Sequence, residues 1–388
     1  MMYLICNAQV FCAESKSFFH GEVLVSDGII RAVAPSIPKT EYDASATEIL
    51  DAQGRYLIPG LVDVHTHGRA GGDFSTADTE LMRRMSQSYL RSGVTTLLPT
   101  LASAPLEDLY AAAARIEAVR SDTQNDPSFA SFAGLHLEGR YLNPSKRGAH
   151  APHLLYSLDA DEALDILNRC GGVRHISAAL ELEGGQAFLA RMKAAGVTVG
   201  LGHTAATYAQ AMTAIEGGAV SLTHLFNAMP PLHHRDGGAV CAGLVTPHVF
   251  CELICDGFHI APEMVKLAYR MKGDHLTLIT DSMEATDCAD GEYAIAGMPV
   301  IVKDGKARTI DGAIAGSTLS LSEAVKNLTD FAGISLGEAV YAATMSPARQ
   351  VGLDTTVGSI TPGKRADLVW LDENCTVLSV MHQGTVVF

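Results

Sequence analysis

The sequence predicts a (β/α)8 TIM-like barrel, of class α/β, with a small β-sandwich domain formed by both chain termini. Three observations carry the prediction. Apolar strand-like runs alternate with helical patterns through the middle of the chain, eight such runs can be counted, and both ends consist of short β pieces separated by turns. Strand-helix alternation implies parallel strands, and eight of them suit a closed barrel rather than an open sheet.

At the N-terminal end, YLICNAQVF, GEVLVSDGIIRAVAP with its SDG turn, and ATEILDAQGRYLIPG read as strands. The barrel strands then start at Leu61, Val94, Phe132, His175, Val197, Ala219, Phe250 and Leu276. Helices fit residues 77–91, 105–120, 160–170, 185–195, 207–216 and 261–271. In the second of these, Leu106, Leu109, Tyr110, Ala113, Ile116 and Val119 share one face at 3.6-residue periodicity behind Ser103 as a cap. The polar stretch 121–128 reads as a surface loop, and Leu321, Ala324, Val325, Leu328 and Phe331 make a last helical stripe. The C-terminal segment from Gly358 alternates apolar residues with turns at Pro362-Gly363, Asp372-Glu373 and Gln383-Gly384. Residues 1–57 and 357–388 are therefore expected to build the β-sandwich, and 58–356 the barrel.

The 388 residues include 28 Lys+Arg against 43 Asp+Glu, a formal net charge of -15 that disfavours nucleic acid as a partner. No window offers the roughly 20 uninterrupted apolar residues of a spanning helix, so no membrane partner is expected. The N-terminus has neither a basic region nor a small-residue cleavage site. Eight cysteines are scattered without CxxC spacing, which suits reduced thiols in a cytoplasm.

In a barrel, chemistry sits at the C-terminal ends of the strands. Strand one ends in His65-Thr66-His67, strand three in Glu138, strand five in His203, strand six in His224 and strand eight in Asp281. His65 and His67 are two apart and project to the same side. One strand-end His is ordinarily a hydrogen-bonded structural residue, but five metal-type residues and an acid at one topological position point to a divalent metal site, with imidazole nitrogen and carboxylate oxygen as ligands. His136 should point to the same side one layer deeper. His20, His175, His248, His275 and His382 lie away from strand ends, and Cys251 and Cys255 read as small hydrophobes. Loop residues Lys146, Arg147, Ala149 and His150 after strand three, Asn227, Ala228 and Arg235 after strand six, and Asp256, Gly257 and His259 after strand seven suggest an anionic substrate on the same face.

These residues lie in PGLVDVHTHG, GLHLEG, GLGHTAA, THLFNAMPPL, ICDGFHI, LITDSMEATD and the terminal PGKRADLVWLD. Together the motifs resemble the amidohydrolase superfamily and, within it, the N-acetylglucosamine-6-phosphate deacetylases, over nearly the whole chain. The resemblance implies metal ligands Glu138, His203 and His224, with His65 and His67 added where two metals bind. It implies catalysis by Asp281, with His150 orienting or polarising the carbonyl. It implies sugar-phosphate contacts from Ala149, His150, Asn227, Ala228, Arg235, Asp256, Gly257, Phe258, His259, Ile314, Ala315 and Gly316. One or two divalent ions are expected, zinc first, with iron or manganese as alternatives. A homodimer is expected, with Arg235 reaching the neighbouring active site. The implied activity is hydrolysis of the acetamide of N-acetylglucosamine 6-phosphate. The alternatives are the galacto epimer as substrate and a non-catalytic sugar-phosphate sensor. Strand four, HISAALELE, has no Lys to bridge two metals, which disfavours hydantoinase-like and dihydroorotase-like readings and leaves Glu138 as the bridging carboxylate. The chain departs from the family at Arg140-Tyr141, where Pro-Phe is usual, so the shape of that loop and the sugar preference do not follow from the resemblance.

Overall fold

The computed structural model describes residues 1–295, 297–310 and 312–388. Eight parallel strands, Leu61–Thr66, Val94–Ala102, Leu135–Glu138, Val173–Ala178, Thr198–Leu201, Ser221–Leu222, Phe250–Ile254 and Leu276–Ile279, stand side by side in chain order. Among the described residues, the first and eighth are joined at their C-terminal ends by individual hydrogen bonds rather than by a ladder. The Asp281 N–H donates to His65 O at 2.9 Å, and the Thr280 hydroxyl donates to Asp63 Oδ2 at 2.6 Å.

Inside the barrel the strands meet through a hydrogen-bonded polar layer as well as through apolar packing. His136 Nε2 lies 2.9 Å from Ser177 Oγ, which lies 2.7 Å from Thr223 Oγ1. Most buried polar groups are paired in this way. Outside, the helices lay apolar stripes on the strands. Leu106–Thr123 buries Leu109, Ala113, Ile116 and Val119 of its expected stripe, with Ala112 beside them, while Leu106 and Tyr110 are half-buried. It runs into the stretch expected to be loop. Its first turn is not capped by Ser103: the N-cap is Pro105, and the Ser103 hydroxyl is engaged elsewhere. The helix Tyr208–Gly217 starts on a capping box between Thr207 and Gln210.

Both termini share one eight-stranded sheet, in which Tyr56–Pro59 pairs with Leu368–Leu371. The sheet curls until its edge strand Ile29–Ala34 meets the residues leading into Leu368–Leu371: Ile29 bridges Arg365, and the Ala366 N–H donates to Gly28 O at 2.8 Å. Ile5, Val10, Val23, Leu57, Leu368 and Met381 fill the space between its facing halves. Its hairpins turn where expected. Asp27 and Gly28 have φ of 54° and 76°, and Gln383 and Gly384 of 49° and 75°, the positive pair that a two-residue hairpin with correct twist requires.

The sequence reading did not anticipate a three-stranded antiparallel meander, Gly291–Ile295, Met298–Lys303 and Lys306–Thr309. It rises after the eighth barrel strand on a small core of Met283, Ile295, Val300, Val302, Ala307 and Ala315. Ala315 and Ile295 thereby reach the mouth of the barrel.

Candidate active site and metal centre

Each predicted strand-end residue arrives at one point. Glu138 is its centre, and the two carboxylate oxygens face different partners. Oε1 lies 3.0 Å from His224 Nε2 and 3.3 Å from His203 Nε2, and those two nitrogens are themselves 3.0 Å apart. Oε2 lies 2.9 Å from His67 Nε2 and 3.4 Å from His65 Nε2. Asp281 Oδ1 closes that side at 3.4 Å from His67 Nε2 and 3.6 Å from His65 Nε2. His203, His224 and Asp281 reach these positions with φ of 45°, 31° and 48°, a left-handed backbone that side-chain-bearing residues seldom adopt. Such outliers cluster where surrounding structure holds a site in place.

The electrostatics ask for a cation. Burial alone would raise the Glu138 carboxyl, but His65 and then His150, His203 and His224 hold it well below the usual carboxylate range. Burial likewise opposes charge on His67, yet Asp281 and Glu138 push its imidazole up to about 9. His65 is raised for the same reason, by Glu138 and Asp281. Among the described residues, the buried His65 Nε2 has no hydrogen-bond partner. Ligand atoms of His65, His67, Glu138 and Asp281 all lie within 4.8 Å of one another, as do those of Glu138, His150 and His203. This donor set of imidazole nitrogen and carboxylate oxygen fits a divalent ion.

Above the cluster opens a cavity of about 280 Å³, lined by Glu138, His67, His203, His224 and Asp281 at its floor and by Ala149, His150, Asn227, Ala228, His259, Ile295, Ile314, Ala315 and Gly316 on its walls. Asp256 acts through the chain around it: its Oδ1 accepts the Phe258 and His259 N–H groups at 2.8 and 2.7 Å, and its Oδ2 lies 2.6 Å from His259 Nδ1. Asp256 and Phe258 line a neighbouring recess instead, and Gly257 packs near Phe331. Arg235 is not brought to this cavity. It is exposed, with its guanidinium against His234 Nε2. Arg147 donates to the His150 carbonyl at 3.0 Å, and the Lys146 carbonyl lies 2.7 Å from His203 Nδ1, so the loop after strand three grips the site through its backbone.

The sequence profile of the amidohydrolase family matches residues 56–387. The chain belongs to the amidohydrolase family. This amidohydrolase is 37% identical over 366 residues to an N-acetylgalactosamine-6-phosphate deacetylase of Escherichia coli O157:H7, covering 94% of this chain and 93% of that protein. It is 34% identical over 391 residues to an N-acetylglucosamine-6-phosphate deacetylase of Vibrio furnissii, covering 98% and 96%. Its fold is similar to that of the N-acetylglucosamine-6-phosphate deacetylase of Pasteurella multocida, with a TM-score of 0.92, 29% identity and coverage of 100% and 99%.

Beneath the metal-type residues, the amidohydrolase holds a buried network that the sequence reading passed over. Glu252, inside the apolar run FCELICD, places Oε2 3.3 Å from His65 Nδ1 and Oε1 3.6 Å from His175 Nε2, and accepts from Gln350 Nε2 at 2.5 Å. A carboxylate within a strand otherwise made of apolar side chains was the available signal. Glu181, in the turn after strand four, ties two site loops together by accepting from Thr204 Oγ1 at 2.6 Å, the Ala205 N–H at 2.7 Å and Asn143 Nδ2 at 2.9 Å.

Proposed function

We propose that this amidohydrolase hydrolyses the acetamide of N-acetylglucosamine 6-phosphate to glucosamine 6-phosphate and acetate. The observation that carries the reading is the convergence of four imidazoles and Asp281 on Glu138 at the floor of a cavity sized for one sugar, in a chain similar over nearly its whole length to deacetylases of such sugars.

His203, His224 and Glu138 would hold one divalent ion, zinc in this reading, and His65, His67 and Glu138 a second. The two-sided contacts of the Glu138 oxygens support a bridging role. A divalent ion there supplies Lewis acidity to an acyl oxygen and makes water a stronger acid. Asp281 remains a carboxylate despite burial, because His65 and His67 hold it low, so it can accept the proton of an attacking water. It then delivers that proton to the departing nitrogen, since an amine leaves only when protonated. His150 faces the acetyl group from the cavity wall. Asn227, Ala228 and His259 contact the sugar phosphate, and Ile295, Ala315 and Gly316 cover it.

Arg235 would reach the phosphate of the partner subunit in a homodimer, which agrees with its exposure outside its own cavity. The eight unpaired cysteines agree with a reducing cytoplasm. A second reading, the galacto epimer as substrate, is favoured by the 37% identity to an enzyme of that name. The test is acetate release on N-acetylglucosamine and N-acetylgalactosamine, each with and without the 6-phosphate, together with metal analysis. A higher kcat/KM on the gluco 6-phosphate sugar is expected. No release from any of the four would end the deacetylase reading.

A further inference from the structure

His150 stands among the imidazoles around Glu138, but its second ring nitrogen meets the opposite kind of partner. His65 Nδ1 faces the Glu252 carboxylate at 3.3 Å and His203 Nδ1 faces the Lys146 carbonyl at 2.7 Å, groups that accept hydrogen bonds. In both rings Nδ1 therefore keeps its hydrogen, and Nε2 is the nitrogen left to bind a cation. His150 Nδ1 instead receives the Ser103 backbone N–H at 3.4 Å, and a backbone N–H can only donate. Ser103 Oγ lies 3.0 Å from the same nitrogen. That oxygen accepts the Arg140 N–H at 2.9 Å, and because a hydrogen on Nδ1 would face the Ser103 amide hydrogen, the hydroxyl turns its own hydrogen to His150. Nδ1 is thus an acceptor, and the ring hydrogen sits on Nε2, 3.8 Å from Glu138 Oε2.

From these contacts we infer that Ser103 is a positioning residue that holds His150 in its Nε2–H tautomer, withdrawing the ring from the metal-ligand set and making it a hydrogen-bond donor to the acyl oxygen of the substrate. The assignment of that oxygen rests on the deacetylase reading. The tautomer does not.

Ser103 can sit there because its neighbour across the strand ends is Gly139, where a Cβ would come within 2.4 Å of the Ser103 nitrogen. Arg140-Tyr141, the pair that departs from the family, fixes the amide on the other side. The buried Arg140 guanidinium donates to Glu162 at 2.9 and 3.2 Å and to the Ala104 carbonyl at 3.1 Å, and it lies 4.0 Å over the Tyr156 ring. The Tyr141 hydroxyl donates to the same Glu162 at 2.9 Å. An ion pair and an aromatic stack thus clamp the residue whose N–H orients the Ser103 hydroxyl.

The experiment is a long-range proton–nitrogen NMR correlation on histidine-labelled, zinc-loaded protein at neutral pH, with His150 assigned by its absence in His150→Asn. The wild type should show His150 with Nδ1 unprotonated and Nε2 protonated. Ser103→Ala should shift hydrogen towards Nδ1 and lower kcat roughly tenfold, less than for full loss of a donor to a developing oxyanion because the Ser103 N–H remains. Bound zinc per chain and KM should stay within about twofold of wild type on this view, and Ser103→Thr should restore both tautomer and kcat. Hydrogen on His150 Nδ1 in the wild type would overturn the inference, and that reading needs no variant to fold. Unchanged kcat in Ser103→Ala, or loss of zinc in step with kcat, would overturn it as well. Absence of acetate release by the wild type would remove the deacetylase reading while leaving the spectrum to decide the tautomer.

Discussion

The Thr280 hydroxyl donates a 2.6 Å hydrogen bond to Asp63 Oδ2, and both groups are buried at the seam between the first and eighth barrel strands. The next residue on one side is the neighbour of His65 and on the other side is Asp281, so this bond sets the spacing between two site residues. Thr280→Val keeps the shape and removes the donor. Asp63 Oδ1 keeps the His65 and Thr280 N–H groups, but a buried oxygen such as Oδ2 that loses its donor costs about 1–3 kcal/mol. Thermal unfolding of the variant should shift down accordingly, and an unchanged midpoint would show that the seam is held by packing alone.

Asp281→Asn should keep fold and bound metal but lose the proton relay. Acid-base contributions of this kind are worth ~100-fold or more in kcat. Near-native turnover in a correctly folded, metal-loaded variant would remove Asp281 from the chemistry.

Arg235→Ala should raise KM for the 6-phosphate sugar far more than for the unphosphorylated sugar, because only the former loses a charge-assisted contact. Mixed dimers sharpen the test. Combining Arg235→Ala chains with Asp281→Asn chains should regenerate one working site per dimer, since each intact Asp281 would then face an intact arginine from its neighbour. No recovery on mixing would place Arg235 outside the phosphate site.

Metal-free protein titrated with zinc should bind up to two ions per chain, and His65→Asn/His67→Asn should lower the number by one. A parent stoichiometry that never exceeds one, or a double variant that matches the parent, would leave Glu138 serving a single ion.

Much of this arrangement was readable because it depends on residues close together in sequence. His65-Thr66-His67 declares its own geometry, and Asp27-Gly28 declares its turn. The helix Leu336–Ala343 carried a readable signature in Ser335 and Glu338, which form its capping box, yet its apolar residues surround it too evenly to show a stripe. The helix Gly238–Val245 is buried almost throughout and has no polar face to reveal a period. Ser103 reads as a cap because Ser is a preferred capping residue just ahead of a helical run. Its actual partners, Arg140 and His150, come from another strand end and another loop, and no local pattern encodes them. Glu252 is hidden for the same reason: its meaning lies in His65, His175 and Gln350, which three distant parts of the chain deliver.

The interleaving of both chain ends in one sheet has a consequence for biogenesis. Tyr56–Pro59 leaves the ribosome long before its hydrogen-bonding neighbour Leu368–Leu371 is made. Until then Leu57 and Ile58 have no strand on that side, and their apolar surface is open to other chains. Pairing between such remote segments is slow, and unpaired strand edges invite aggregation while the chain waits. The barrel can begin to assemble while the sheet still waits for Leu368–Leu371, so deleting that strand would leave the N-terminal strands unpaired rather than merely shorten the protein.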